Sequence, residues 1–165
     1  MGFAVNVSTV AAAFVCIIGL TGLGSAHAAS GEEVIKARVN FMEDMEKHWS
    51  QIAAFVKGKG TLADVEKNAR AISKMAHDIP KHFPKDTGRG KFPDKLTRTL
   101  PAVWEDPEGF KADIKRLVDG SDMLARLARE GKKDEALEMI GPGSYARTKI
   151  GCADCHDNFR GPRVK

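Results

Sequence analysis

The sequence predicts an all-α protein, four antiparallel helices with one long irregular connection between helices 2 and 3. Three observations predict it. Apolar residues recur at three-four spacing through four segments, the signature of helices with one buried face. No stretch of useful length alternates apolar and polar residues as a half-buried strand would. Six of the seven prolines fall between residues 80 and 142, and four of them between residues 80 and 101, so the breaks concentrate in the middle of the chain.

Taken in order, the first 28 residues hold no Lys, Arg, Asp or Glu, and an apolar stretch from Val10 to Leu23 leads into Ala26-His27-Ala28. A short apolar run before a small-x-small site reads as a secretory signal peptide, residues 1–28, and so predicts an exported protein. A membrane anchor is the alternative, weighed against by the glycines and threonine that interrupt the run. Residues 29–165 then form one domain. Helix 1 spans Val34 to Val56, with Val34, Phe41, Met42, Met45, Trp49, Ile52 and Val56 on one face. Thr61 caps helix 2, whose Leu62, Val65, Ala69, Ile72, Ala76 and Ile79 run to Pro80. Residues 80–106 form the irregular connection. Asp106-Pro107 opens helix 3, with Phe110, Ile114, Leu117, Leu124 and Leu127 inward and Gly120 expected to break it at its middle. Helix 4 starts at Asp134, is interrupted at Gly141-Pro142-Gly143, and resumes through Tyr145, Ile150 and Cys152 to Arg160.

The formal charge of the chain is +4. That is modest, and the basic residues form no aromatic-interleaved or arginine-rich stripe, which argues against nucleic acid as a partner. Cys16 lies in the signal peptide, leaving two cysteines, Cys152 and Cys155. A bridge across two intervening residues closes too small a loop to staple a domain, so the pair reads as chemical.

The strongest signal is Cys152-Ala153-Asp154-Cys155-His156. Two thiols separated by two residues on one helical turn can each add to a vinyl group of haem, and the adjacent imidazole is then held under the iron. The cofactor expected is one haem c, covalent through Cys152 and Cys155, with iron ligated by His156. A thioredoxin-like redox pair would need a strand-turn-helix context, and a zinc site would need further close ligands; the chain supplies neither.

With these residues in view, the sequence resembles the class II cytochromes c, the cytochrome c prime superfamily, and the resemblance implies a four-helix up-down-up-down antiparallel bundle. The motif near the C-terminus with Asp157, Asn158, Phe159 and Arg160 after it is similar to that family's final helix. Ile35-Lys36-x-Arg38 with Met42, Met45 and His48 is similar to its first, and Leu100-Pro101-Ala102-Val103-Trp104-Glu105-Asp106 with Phe110 to the segment before its third. The stretch from Leu137 to Cys152 is about one helical turn longer than the family pattern. The resemblance implies a choice at the iron's sixth position. High-spin members cover it with an apolar side chain and bind small gases; low-spin members place a methionine there. Alignment through Arg38 and His48 puts Met42 at that position, which implies His156/Met42 coordination in the low-spin branch, while helical spacing alone leaves Met42 and Met45 equally readable as core. The resemblance also implies that Arg38 pairs with a haem propionate. Arg160, one turn after His156, is placed to shape the field around the imidazole.

The expected function is a periplasmic mono-haem electron carrier, with redox proteins as partners, a homodimer possible as in relatives, no stable membrane insertion after signal cleavage and no enzymatic constellation. The alternative is a five-coordinate cytochrome c prime that binds NO or CO.

Overall fold

The computed structural model describes residues 1–2 and 30–164; the expected signal peptide lies, but for its first two residues, outside the described residues. Six α-helices follow: α1 Gly31–Val56, α2 Leu62–Ala76, α3 Ala102–Glu105, α4 Pro107–Arg129, α5 Lys133–Ile140 and α6 Cys152–Phe159. Helices α1, α2 and α4 are the first three members of the bundle, and α5 with α6 make the fourth. Among the described residues there are no strands, only two isolated bridges.

Local chemistry sets the ends. Ser30 accepts from the Glu33 amide while Glu33 reaches back to the Ser30 amide, and Thr61 and Asp64 do the same for α2. Each reciprocal pair satisfies backbone donors that a helix start leaves orphaned. Asp106 caps α4 through the Gly109 amide at 2.9 Å, with Pro107 at the first helical position, where its missing N–H costs nothing.

The core runs the length of the bundle, and α2 against α4 is its most extensively packed pair. Ile52, Val65, Ile72, Leu124, Ile140 and Ile150 are almost wholly removed from water, each contributing roughly 1.5–3 kcal/mol. Phe110 sits at one end of this core, edge-on to both Phe83 and Phe159 at 5.1 Å.

Four expectations need correction. Helix 2 ends at Ala76 and a separate 3-10 turn, Ile79–His82, takes up Pro80. The connection is not wholly irregular, since it ends in the short helix α3 just before the Asp106 cap. Gly120 does not break α4, which passes through it unbroken. Its role is close approach: a Cβ there would stand 2.6 Å from the Ile150 Cα, so only glycine lets the incoming chain lie on the helix backbone. Finally, the fourth helix does not resume at Tyr145. Gly141 turns the chain with φ 64° and ψ −148°, a region open to glycine alone. A 3-10 turn at Tyr145–Arg147 follows, and helix returns only at Cys152.

Candidate haem site

Residues 150–151 bring the motif onto α4. Gly151 has φ 95°, and a Cβ on it would meet the Leu117 amide nitrogen at 2.9 Å. Both the left-handed backbone and the tight seat demand glycine, and α6 starts from this fixed point. At its other end the Asn158 amide donates to Asp113 Oδ2 on α4 at 2.9 Å, and Arg116 pairs with the second oxygen of that carboxylate. Asp113 is 1% exposed, so α6 is fastened to α4 by a buried polar group as well as by Phe159.

On this helix Cys152 and Cys155 are both free thiols, one turn apart, packed against the core cluster. Burial pushes each thiol up to about 12, so neither is a thiolate near neutral pH. His156 follows immediately. Burial, and after it the charges of Arg160 and Arg98, push its imidazole down to about 4, which keeps it neutral. Its Nδ1 is buried with no hydrogen-bond partner among the described residues.

These observations answer whether the residues fit a haem. A redox dithiol needs an ionisable, accessible sulfur, and these are neutral and half-buried. No group of three or more His, Cys, Asp or Glu among the described residues could hold a metal ion by itself, which fits poorly with a zinc site. A neutral imidazole beside two thiols on one turn is the donor set a covalently attached haem takes.

The remaining sequence candidates fall as follows. Met42 and Met45 lie on α1, partly buried against the same cluster that takes in the two cysteines. Arg38 is 3% exposed. It donates through Nη1 to the His82 carbonyl at 3.3 Å and Thr87 Oγ1 at 2.9 Å, and through Nη2 to the Thr87 carbonyl at 2.7 Å and Thr97 Oγ1 at 2.9 Å. The guanidinium thus clasps the connection onto α1. Its cation stands 5.0 Å from the Phe83 ring centroid. Arg160 donates to the Tyr145 hydroxyl at 3.2 Å and lies over its ring.

Sequence reasoning missed Tyr145 as a neighbour of the site: its ring meets His156 edge-on with centroids 5.5 Å apart. It also missed Arg98, held by its Nε donating to the Gly161 carbonyl at 2.7 Å. The signal available for Tyr145 was the extra turn itself, which places an aromatic residue eleven positions before His156. Arg98 had none, because the pairing that brings it in joins distant segments. The other histidines are elsewhere: His48 Nδ1 lies 2.8 Å from Asn68 Oδ1, His82 stacks on Phe41 at 3.9 Å and His77 is exposed.

A helical bundle that offers two thiols and a neutral imidazole from one wall defines a class of protein, the helical-bundle c-type cytochromes. Comparison with known proteins agrees. A family model described as cytochrome c' matches residues 33–160. Cytochrome c' of Rhodopseudomonas palustris is 33% identical over 147 residues, covering 87% of this chain and 92% of the relative. Cytochrome c-556 of the same organism is 24% identical, covering 88% of this chain and 95% of the relative. Two solved structures share the fold. One is a cytochrome c' with ligand-controlled dimer dissociation, at TM-score 0.66 and 24% identity over 82% of this chain and 99% of the other. The second is a nitric oxide complex of an Alcaligenes xylosoxidans cytochrome c prime variant, at TM-score 0.63 and 22% identity over 82% and 98%. The chain belongs to the cytochrome c' family. It is a mono-haem c-type cytochrome, with haem c and its iron attached through Cys152 and Cys155.

Proposed function

We propose that the chain is a periplasmic cytochrome of the five-coordinate, gas-binding kind, with His156 the iron's protein ligand and Met42 the side chain covering the opposite face. The observation that carries this is the similarity to cytochrome c', which holds at 33% identity over most of both chains and includes a relative of the same fold solved with nitric oxide. The electron carrier with His156/Met42 ligation, which the sequence puts first, becomes the second reading. Its support is Met42 itself, a thioether where the resemblance places the distal residue, together with the cytochrome c-556 relative.

When bound, haem supplies an iron that alternates between ferric and ferrous states and takes a diatomic ligand at an open position. The chain's own residues do the rest. Cys152 and Cys155 fix the cofactor to α6. His156 offers a nitrogen that burial keeps unprotonated, and the Asp113–Asn158 bond holds the helix that carries it. Among the described residues the Nδ1 has no acceptor to make the ring more basic, and with Arg160 nearby this favours the ferrous state. Arg38, with both Nη groups already donating to the His82, Thr87 and Thr97 oxygens, holds the connection and is not free for the propionate that the resemblance implies. We read the protein as a binder and carrier rather than an enzyme. Its export rests on the signal-peptide pattern of residues 1–28; among the described residues no helix is long and apolar enough to cross a membrane. A homodimer formed through α1 and α2 completes the reading, and sedimentation equilibrium measures it.

The test is an absorption spectrum of the holoprotein, oxidised and reduced, with and without carbon monoxide, in wild type and Met42→Ala. A high-spin ferrous spectrum that shifts with carbon monoxide supports gas binding. A low-spin spectrum indifferent to carbon monoxide in wild type, turning responsive in Met42→Ala, overturns it in favour of the carrier.

A further inference from the structure

The C-terminal tail brings positive charge to the histidine side of the site. Leu100 N–H donates to the Phe159 carbonyl at 3.0 Å and Gly161 N–H to the Arg98 carbonyl at 2.8 Å, with Thr99 opposite Arg160. This short antiparallel pairing sets Arg98 beside Arg160 and Arg163, residues more than sixty positions apart in the chain. Burial, and after it the charges of Arg160, Arg163 and Arg89, lower the Arg98 guanidinium from its ordinary range. Of the nearby carboxylates, Asp157 faces His156, and Asp154 stands 3.7 Å from Arg116. Arg89 is turned inward, its guanidinium on the Thr97 and Pro162 carbonyls and near Asp94. Three arginines therefore share the face with little to neutralise them.

Against Arg160 lies Tyr145. It is 39% exposed, carries the Arg160 guanidinium over its ring and touches the His156 imidazole with its edge. An exposed tyrosine under an arginine is the composition that protein interfaces concentrate, and here it lies against the side chain nearest the redox centre.

We propose that the face formed by Tyr145, Arg98, Arg160 and Arg163 is where an electron-transfer protein with an acidic surface docks. The inference rests on the iron changing oxidation state, which both readings above require. In each encounter one electron passes, the partner losing it as the ferric iron gains it, with no bond made and no proton moved. Uncompensated guanidiniums raise the local concentration of an acidic partner and orient it, and Tyr145 gives the close apolar contact that charge alone does not.

The experiment oxidises the ferrous holoprotein in a stopped-flow instrument with an anionic reagent, hexacyanoferrate(III), and a cationic one, tris(phenanthroline)cobalt(III). Ionic strength is varied from about 10 to about 300 mM, where screening becomes strong. The proteins are wild type, Arg98→Gln/Arg163→Gln, and a control pair at the last turn of α4, Arg126→Gln/Arg129→Gln. For wild type the anionic rate falls on the order of tenfold as salt rises while the cationic rate climbs. The double variant loses most of that contrast and the control keeps it. Poly-L-glutamate slows the wild type and leaves the double variant nearly unaffected. Two results overturn the proposal by itself: equal salt responses to both reagents in wild type, or a double variant slowed equally with both and shifted in reduction potential, which would assign the arginines to the haem's own carboxylates. Negligible exchange with either reagent in wild type overturns the redox reading and the docking face together.

Discussion

Two glycines decide where the thiols stand. Gly120 lets the backbone of Ile150 lie on α4, and Gly151 turns left-handed against Leu117. Gly151→Ala pays both for the φ of 95° and for a contact near 2.9 Å, so a loss of about 2–4 kcal/mol in urea denaturation and a lower haem occupancy are expected. Gly120→Ala keeps an allowed helical φ and strikes only Ile150, so its loss should be smaller, about 1–3 kcal/mol. The thiols give a second expectation at this scale. With each pushed up to about 12, the haem-free chain should react with iodoacetamide at pH 8 at least about tenfold slower than a free cysteine, and unfolding in urea should remove the difference. The five-residue motif was fully legible because its spacing is its chemistry. Gly120 was misread as a breaker because sequence shows a glycine's freedom without showing the neighbour that requires it.

At the scale of elements the capping boxes are the most local devices. Thr61→Ala should cost about 1 kcal/mol at neutral pH. Glu33 and Asp64 are held below the usual carboxylate range by their hydrogen bonds to Ser30 and Thr61. A carboxylate with a lowered folded-state pKa stabilises at pH above its unfolded value and loses that contribution as pH falls through the folded one. The thermal midpoint should therefore decline on acidification below about pH 4, and the gap between Thr61→Ala and wild type should narrow with it. Asp113 joins two elements. Asp113→Ala leaves the Asn158 amide without its acceptor and should cost roughly 2–3 kcal/mol in urea, with Asp113→Asn recovering part of it. The long helices α1 and α4 were legible because their apolar stripes outlast local noise, and the Thr61 and Asp106 caps because their sequence is their geometry. The fourth helix was not, because the turn from Gly141 to Gly151 is fixed by contacts with α1 and α4 that lie outside the segment.

For the whole molecule, the bundle is closed by a belt that periodicity does not report. Arg38 clasps residues 82, 87 and 97 to α1, and residues 98–100 pair with 159–161. Arg38→Met removes four bonds and leaves buried carbonyls at His82 and Thr87 unsatisfied. Hydrogen exchange at the Arg89, Leu100 and Gly161 amides should quicken by more than an order of magnitude, with α2 and α4 little changed. Such long-range pairings carry no periodic trace, which is why residues 80–106 read as irregular when much of the segment is firmly held.

The burial of the two sulfurs has one more consequence, for the order of events in making the protein. Attachment needs reactive thiols that the cofactor can reach, and the finished fold offers neutral ones set in its wall, behind a turn sealed by Gly151. The closed bundle is thus a poor substrate for its own maturation. Variants that speed closure without strengthening it should therefore come out of the cell with less haem, however stable they prove in the test tube.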